Sequence, residues 1–256
     1  MTRPPIFLGV SLKMYLDHAA TLRWVSQVVA IADAEPAVLD GRVQLAVLPT
    51  HLSIDAVVAA VGDTPVAVGA QDVGWADAGP FTGEVSGRDL ATMGCRYVEV
   101  GHAERRRLFG EDDKIISGKL AATVRNGMTP MLCVGEQDRL GPDEAAAVCL
   151  DQVTGALAEV ESAVPDLIIA YEPVWAIGAD RPASAEHVRD VCQRLRAGTA
   201  DDHRLERVRV IYGGSAGPGL LTELGDATDG LFLGRFAHDP EALRRVITEA
   251  ASMITG

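Results

Sequence analysis

The chain has 256 residues, 48% hydrophobic and 23% charged, which excludes a wholly disordered or fibrous protein and allows one large domain or two small ones. Its 23 Lys+Arg against 36 Asp+Glu leave a formal net charge of -13, which argues against a broad nucleic-acid or anionic-membrane surface, because both need a basic face. An anionic substrate must then be met by a local positive spot, and lysine is scarce: only Lys13, Lys114 and Lys119.

Short apolar runs alternate with longer amphipathic stretches. The first run is Ile6–Val10, with no charged-then-apolar leader before it. Asp17–Ala34 then carries Leu22, Val25, Val28, Val29 and Ala32 at helical spacing. The runs Gln44–Leu48, Val66–Ala70, Tyr97–Val100 and Pro130–Val134 follow. A second helical pattern spans Asp143–Val160, and its opening Pro142 and acids suit a helix start. Leu167–Ala170 precedes a helix over Ser184–Arg196. Val208–Tyr212 and Gly230–Leu233 precede one over Asp239–Ala251, with Pro240 in its first turn. The eight runs lack clean alternation, as parallel strands covered on both faces do.

Eight β-then-α units at ~32 residues each fill the chain, and no Pro/Gly/Ser-rich linker divides it. The expectation is one α/β domain over 1–256, folded as a (β/α)8 barrel. A doubly wound open sheet is the alternative, but its phosphate loop is replaced after the first run by Gly9-Val10-Ser11-Leu12-Lys13. Cys95, Cys133, Cys149 and Cys192 form no C-x-x-C pair, and three lie in apolar segments. Buried free thiols in a reducing, cytoplasmic setting are expected. No apolar run approaches the ~18 residues of a membrane span.

Barrel chemistry belongs just beyond the C-terminal strand ends. Lys13 stands there, either a fixed ammonium for a phosphate or oxyanion or a solvated surface lysine. His102 follows the fourth run. At a helix start it stays neutral and can polarise a carbonyl, or it is structural. Glu172 abuts the apolar Pro173–Gly178 segment, which would raise its pKa and suit a general base, or it caps a helix. Val174-Trp175-Ala176-Ile177 is apolar for a loop and either packs down or closes as a lid. Gly213-Gly214-Ser215 and Gly234 stand where barrels bind phosphate through backbone N–H groups. No metal-ligand spacing and no G-x-S-x-G elbow is present. Acid–base chemistry on a small phosphorylated carbonyl compound remains.

The chain resembles the triosephosphate isomerases almost end to end. The resemblance is carried by Lys13-Met14, Gly69-Ala70-Gln71, Phe81-Thr82-Gly83-Glu84, Gly101-His102-Ala103-Glu104-Arg105-Arg106, Cys133-Val134-Gly135-Glu136, Tyr212-Gly213-Gly214-Ser215 and, above all, Ala170-Tyr171-Glu172-Pro173-Val174-Trp175-Ala176-Ile177-Gly178. That family is a standard worked case of a carboxylate base, a neutral histidine and a closing loop. The resemblance implies that Glu172 shuttles the proton, His102 polarises the oxygens and Lys13 stabilises negative charge. It implies phosphate contacts from Gly178, Ser215 and Gly234, a lid of Pro173, Val174, Trp175, Ala176, Ile177 and Gly178, and a homodimer through Gln71–Glu84. No cofactor and no metal are implied.

Four places depart from the usual family pattern. Ser11 stands for Asn, Ala103 for Ser, Gly178-Ala179-Asp180-Arg181-Pro182 for the usual lid glycines and lysine, and Gly234-Arg235 for Gly-Gly. Ser11 and Arg235 are therefore added to the substrate-binding positions. With Trp75-Ala76-Asp77 and Pro182-Ala183-Ser184, these departures are similar to the L-erythrulose-1-phosphate isomerase branch of tetritol catabolism. Its substrate is dihydroxyacetone phosphate with one extra hydroxymethyl group. The expected reaction is L-erythrulose 1-phosphate to D-erythrulose 4-phosphate. The alternatives are plain triosephosphate isomerisation, or a non-catalytic sugar-phosphate binder that has no need of a general base.

Overall fold

The computed structural model describes residues 4–177 and 182–254. Its eight strands are β1 (Ile6–Ser11), β2 (Val43–Leu48), β3 (Ala67–Ala70), β4 (Tyr97–Val100), β5 (Thr129–Val134), β6 (Leu167–Tyr171), β7 (Val208–Tyr212) and β8 (Gly230–Leu233). All pair in parallel in chain order, and β1 also pairs with β8, so the sheet closes as a (β/α)8 barrel. The open-sheet alternative is thereby excluded.

Ten α-helices accompany the strands among the described residues. They are α1 (His18–Asp33), α2 (Pro36–Leu39), α3 (Ile54–Val61), α4 (Gly87–Thr92), α5 (Ala103–Phe109), α6 (Asp113–Arg125), α7 (Pro142–Ala156), α8 (Ala185–Thr199), α9 (Leu220–Leu224) and α10 (Pro240–Ile254). The pattern expected over Asp143–Val160 ends at Ala156. Beyond it the Ser117 hydroxyl accepts from the Glu159 N–H at 2.7 Å, so that N–H no longer serves a helical turn.

The strands are buried on both faces, which explains their unbroken apolar runs. One set of side chains fills the barrel: Phe7, Leu48, Met131, Ile168, Ile211 and Phe232. The alternate set packs outward under the helices. All four cysteines are buried free thiols. No described helix is long and apolar enough to cross a membrane.

Candidate active site

The C-terminal strand ends open into a cavity of about 400 Å³ that brings together Ser11, Lys13, His102, Glu104 and Glu172 with the Gly213–Gly217 and Gly234–Phe236 loops. A larger cavity of about 870 Å³ lies on the outer flank, between Trp75, Gly118 and Glu159, and holds none of the expected catalytic groups.

Glu172 follows β6 directly and is 5% exposed. Two glycines make room for it. A Cβ on Gly213 would stand 2.6 Å from its Oε1, and one on Gly135 would stand 1.9 Å from its carbonyl oxygen. Its Oε2 is buried without a hydrogen-bond partner. Burial, with Glu99 and Glu104 nearby, raises its pKa well above 4.5, and the Lys13 ammonium opposes the shift only in part.

His102 is the N-cap of α5 and accepts the Glu104 N–H on Nδ1 at 3.1 Å. Its neutral-state proton therefore sits on Nε2, which lies 3.4 Å from Glu172 Oε2. Burial, with Lys13 second, lowers its pKa to about 4. Nitrogen-15 NMR should show the neutral Nε2–H tautomer from pH 8 down to about 5. A midpoint near 6.5 would contradict this geometry. The low pKa also has a stability cost: as pH falls from 6.5 toward about 4, the unfolded histidine gains a proton and the folded one does not, so stability is lost across that window.

Lys13 adopts φ +48, the one positive φ at a described non-glycine residue. Gln71 holds that turn by donating to Lys13 O at 3.0 Å and Leu48 O at 2.8 Å. The Lys13 ammonium donates to Glu104 Oε1 at 2.8 Å. Burial works against its charge, yet pairing with Glu104 leaves its pKa raised. It is cationic at any physiological pH.

Ser11 is buried and donates to Glu99 Oε2 at 2.9 Å. Glu99 projects from β4 into the barrel mouth, and burial pushes its pKa up to about 8. Sequence reading passed over Glu99 and Tyr15 as site residues, and named Glu104 and Gln71 in motifs without giving them a part in the site. The signal for Glu99 was present: a carboxylate at an inward position of the apolar run Tyr97–Val100.

The expected lid residues begin at Pro173, and Val174–Ala176 form a single 3₁₀ turn. The segment's described residues are anchored at two points. Ala176 is buried, and the Trp175 indole donates to Glu136 Oε1 at 2.7 Å. The Tyr171 hydroxyl reaches the same oxygen at 3.1 Å. Ile177 faces the cavity. Gly178, expected in both lid and phosphate site, lies outside the described residues. Across the cavity, the backbone N–H groups of Gly214, Ser215 and Gly234 have no acceptor among the described residues, which suits an anion. Arg235 follows at once and lines the same mouth. Among the described residues, no group of three or more His, Cys, Asp or Glu is placed to hold a metal ion.

Similarity to known proteins agrees with this arrangement. The family model described as triosephosphate isomerase matches residues 6–250. The chain is 49% identical to the L-erythrulose-1-phosphate isomerase of Pectobacterium atrosepticum, over 99% of this chain and 98% of that protein. It is 36% identical to the triosephosphate isomerase of Leifsonia xyli, over 96% of this chain and 97% of that one. It is 39% identical to the triosephosphate isomerase of Rhodococcus jostii, over 90% and 89%. With a closed eight-stranded barrel, a buried glutamate facing a neutral histidine, and a match across nearly its whole length, the chain is an isomerase of the triosephosphate isomerase family.

Proposed function

We propose that the enzyme converts L-erythrulose 1-phosphate to D-erythrulose 4-phosphate without a cofactor. The observation that carries this reading is the 49% identity, over 99% of the chain, to a protein of that name, against 36–39% to the triosephosphate isomerases above. Glu172 takes the proton from the hydroxyl-bearing carbon beside the carbonyl. The electron pair forms the enediolate, and the same proton returns to the former carbonyl carbon. His102 Nε2–H serves both oxygens in turn, and Lys13 stabilises their negative charge. Ser215 and Gly234, with Gly178, hold the phosphate, and Pro173–Gly178 close over it. Ser11 supports the larger sugar. Its short side chain is tied back to Glu99, which leaves volume beside the reacting carbons.

Purified enzyme should show kcat/KM for L-erythrulose 1-phosphate above that for D-glyceraldehyde 3-phosphate. A thousandfold preference for the triose would sink the reading in favour of triosephosphate isomerisation. Turnover of neither would overturn both substrate readings.

We also infer a homodimer through Gln71–Glu84. The root of this loop is buried, and its tip, with Phe81, is exposed. Gln71 bonds to the Lys13 carbonyl and His51 donates to the Asp72 carbonyl at 2.9 Å, so exposed Met14 and Leu52 stand beside that root. Sedimentation should give twice the chain mass at micromolar concentration, and half that mass after Phe81→Asp. A wild-type monomer contradicts the inference. The buried thiols suit a cytoplasmic location, which fractionation of tagged enzyme checks.

A further inference from the structure

The charges lining the cavity are unevenly committed. Among the described residues its charged side chains are Glu104, Glu172, Lys13 and Arg235, and Lys13 is already paired to Glu104 at 2.8 Å. Arg235 is the other cation, and no carboxylate pairs with it among the described residues. In a chain of net charge -13, an arginine with no carboxylate partner among the described residues is a local positive spot at the cavity mouth.

Its setting supports a task. Arg235 immediately follows Gly234, whose N–H is one of the acceptor-free donors, and it opens the 3₁₀ turn Arg235–His238. Its guanidinium lies over the Tyr15 ring at 5.6 Å, and Tyr15 itself rests against the His238 ring at 5.5 Å. Tyr15 stands two residues beyond Lys13. A guanidinium placed over an aromatic face is restrained, yet its in-plane N–H groups remain free to donate. Those groups match a phosphate dianion two at a time, which an ammonium does not.

We infer that the Arg235 side chain is a phosphate-binding arm, with Tyr15 as the platform that holds it over the cavity. This rests on the reading of the cavity as a sugar-phosphate site. Arg235 supplies a charge that the backbone N–H groups lack, while Lys13 remains committed to the developing oxyanion and to Glu104. The anion subsite is then a side-chain clamp added to a backbone cradle, and the stack couples the loop after β8 to the loop that carries Lys13.

Inorganic phosphate is the probe, because it reports on the subsite whichever sugar is the substrate. Calorimetric titration should give a Kd about tenfold or more higher for Arg235→Gln than for the unaltered enzyme, with Arg235→Lys between them. Tyr15→Leu should raise Kd in the same direction by a smaller factor. In turnover, Arg235→Gln should lower kcat/KM more for the phosphorylated ketose than for the same ketose without phosphate. An unchanged Kd, within twofold, or an equal loss on both ketoses overturns the inference and leaves Arg235 a clasp for Tyr15. Preference for the triose phosphate would defeat the tetrulose reading alone, since the Kd shift does not depend on it.

Discussion

Glu172→Gln should lower kcat by about a thousandfold, with KM little changed, in a direct assay on the sugar phosphate. The amide has the same shape, so the cavity and the contact with His102 survive. What is lost is a basic oxygen. Oε2 is buried, lacks a partner and sits 3.4 Å from His102 Nε2, so its lone pair is available to a substrate proton. The raised pKa makes the carboxylate a stronger base than an exposed glutamate once it is ionised. A loss of less than tenfold would remove Glu172 from the base role. The same variant should gain stability at neutral pH. Below pH 4.5 both folded and unfolded carboxyls are protonated. As pH rises from 4.5 toward the raised folded pKa, the unfolded group ionises and the folded one does not, so the native enzyme loses stability across that window. Glutamine does not titrate and escapes the loss. Higher stability with lower turnover is the expected sign of a strained catalytic group.

The strands and their order were legible because burial on both faces writes apolar runs directly into the chain. Five of the eight expected starts and six of the eight expected ends match the structure, and the remaining boundaries move by one residue. The site residues were legible by position, at strand ends, and by resemblance. Helix α6 was not, for a physical reason. Its covered face includes Ser117, Lys119 and Thr123, so no apolar stripe marks it. Thr123 is satisfied within the helix by the Lys119 carbonyl, but Ser117 and Lys119 meet Glu159 and Asp72 far along the chain, which local pattern cannot show. The tautomer of His102 was equally hidden, because it depends on a backbone N–H two residues on. The Arg235–Tyr15 stack spans 220 residues and has no local trace either.

Lys119→Met should lower the unfolding free energy by about 3–5 kcal/mol, read from urea denaturation with the slope unchanged. Lys119 is 1% exposed. Its ammonium reaches Asp72 Oδ1 at 2.8 Å, Asp72 Oδ2 at 2.7 Å and Glu111 Oε1 at 2.5 Å. Arg105 joins the same two carboxylates, Asp72 at 2.8 Å and Glu111 at 2.6 Å. Removing the lysine leaves two buried carboxylates sharing one half-buried arginine, and uncompensated buried charge is what makes such losses large. Exposed pairs such as Arg244–Glu241 should by contrast change stability by less than ~1 kcal/mol when broken. The four residues come from the loop after β3, from α5, from the turn beyond it and from α6. Helix α5 carries His102 at its cap and Glu104 in its first turn, and the β3 loop carries Gln71, which holds the Lys13 carbonyl. One buried ammonium thus ties together the supports of the proposed electrophile and charge stabiliser. Turnover of Lys119→Met should accordingly fall at temperatures where the variant is still folded, whereas a stability loss below 1 kcal/mol would show that the network is not the joint between these two elements.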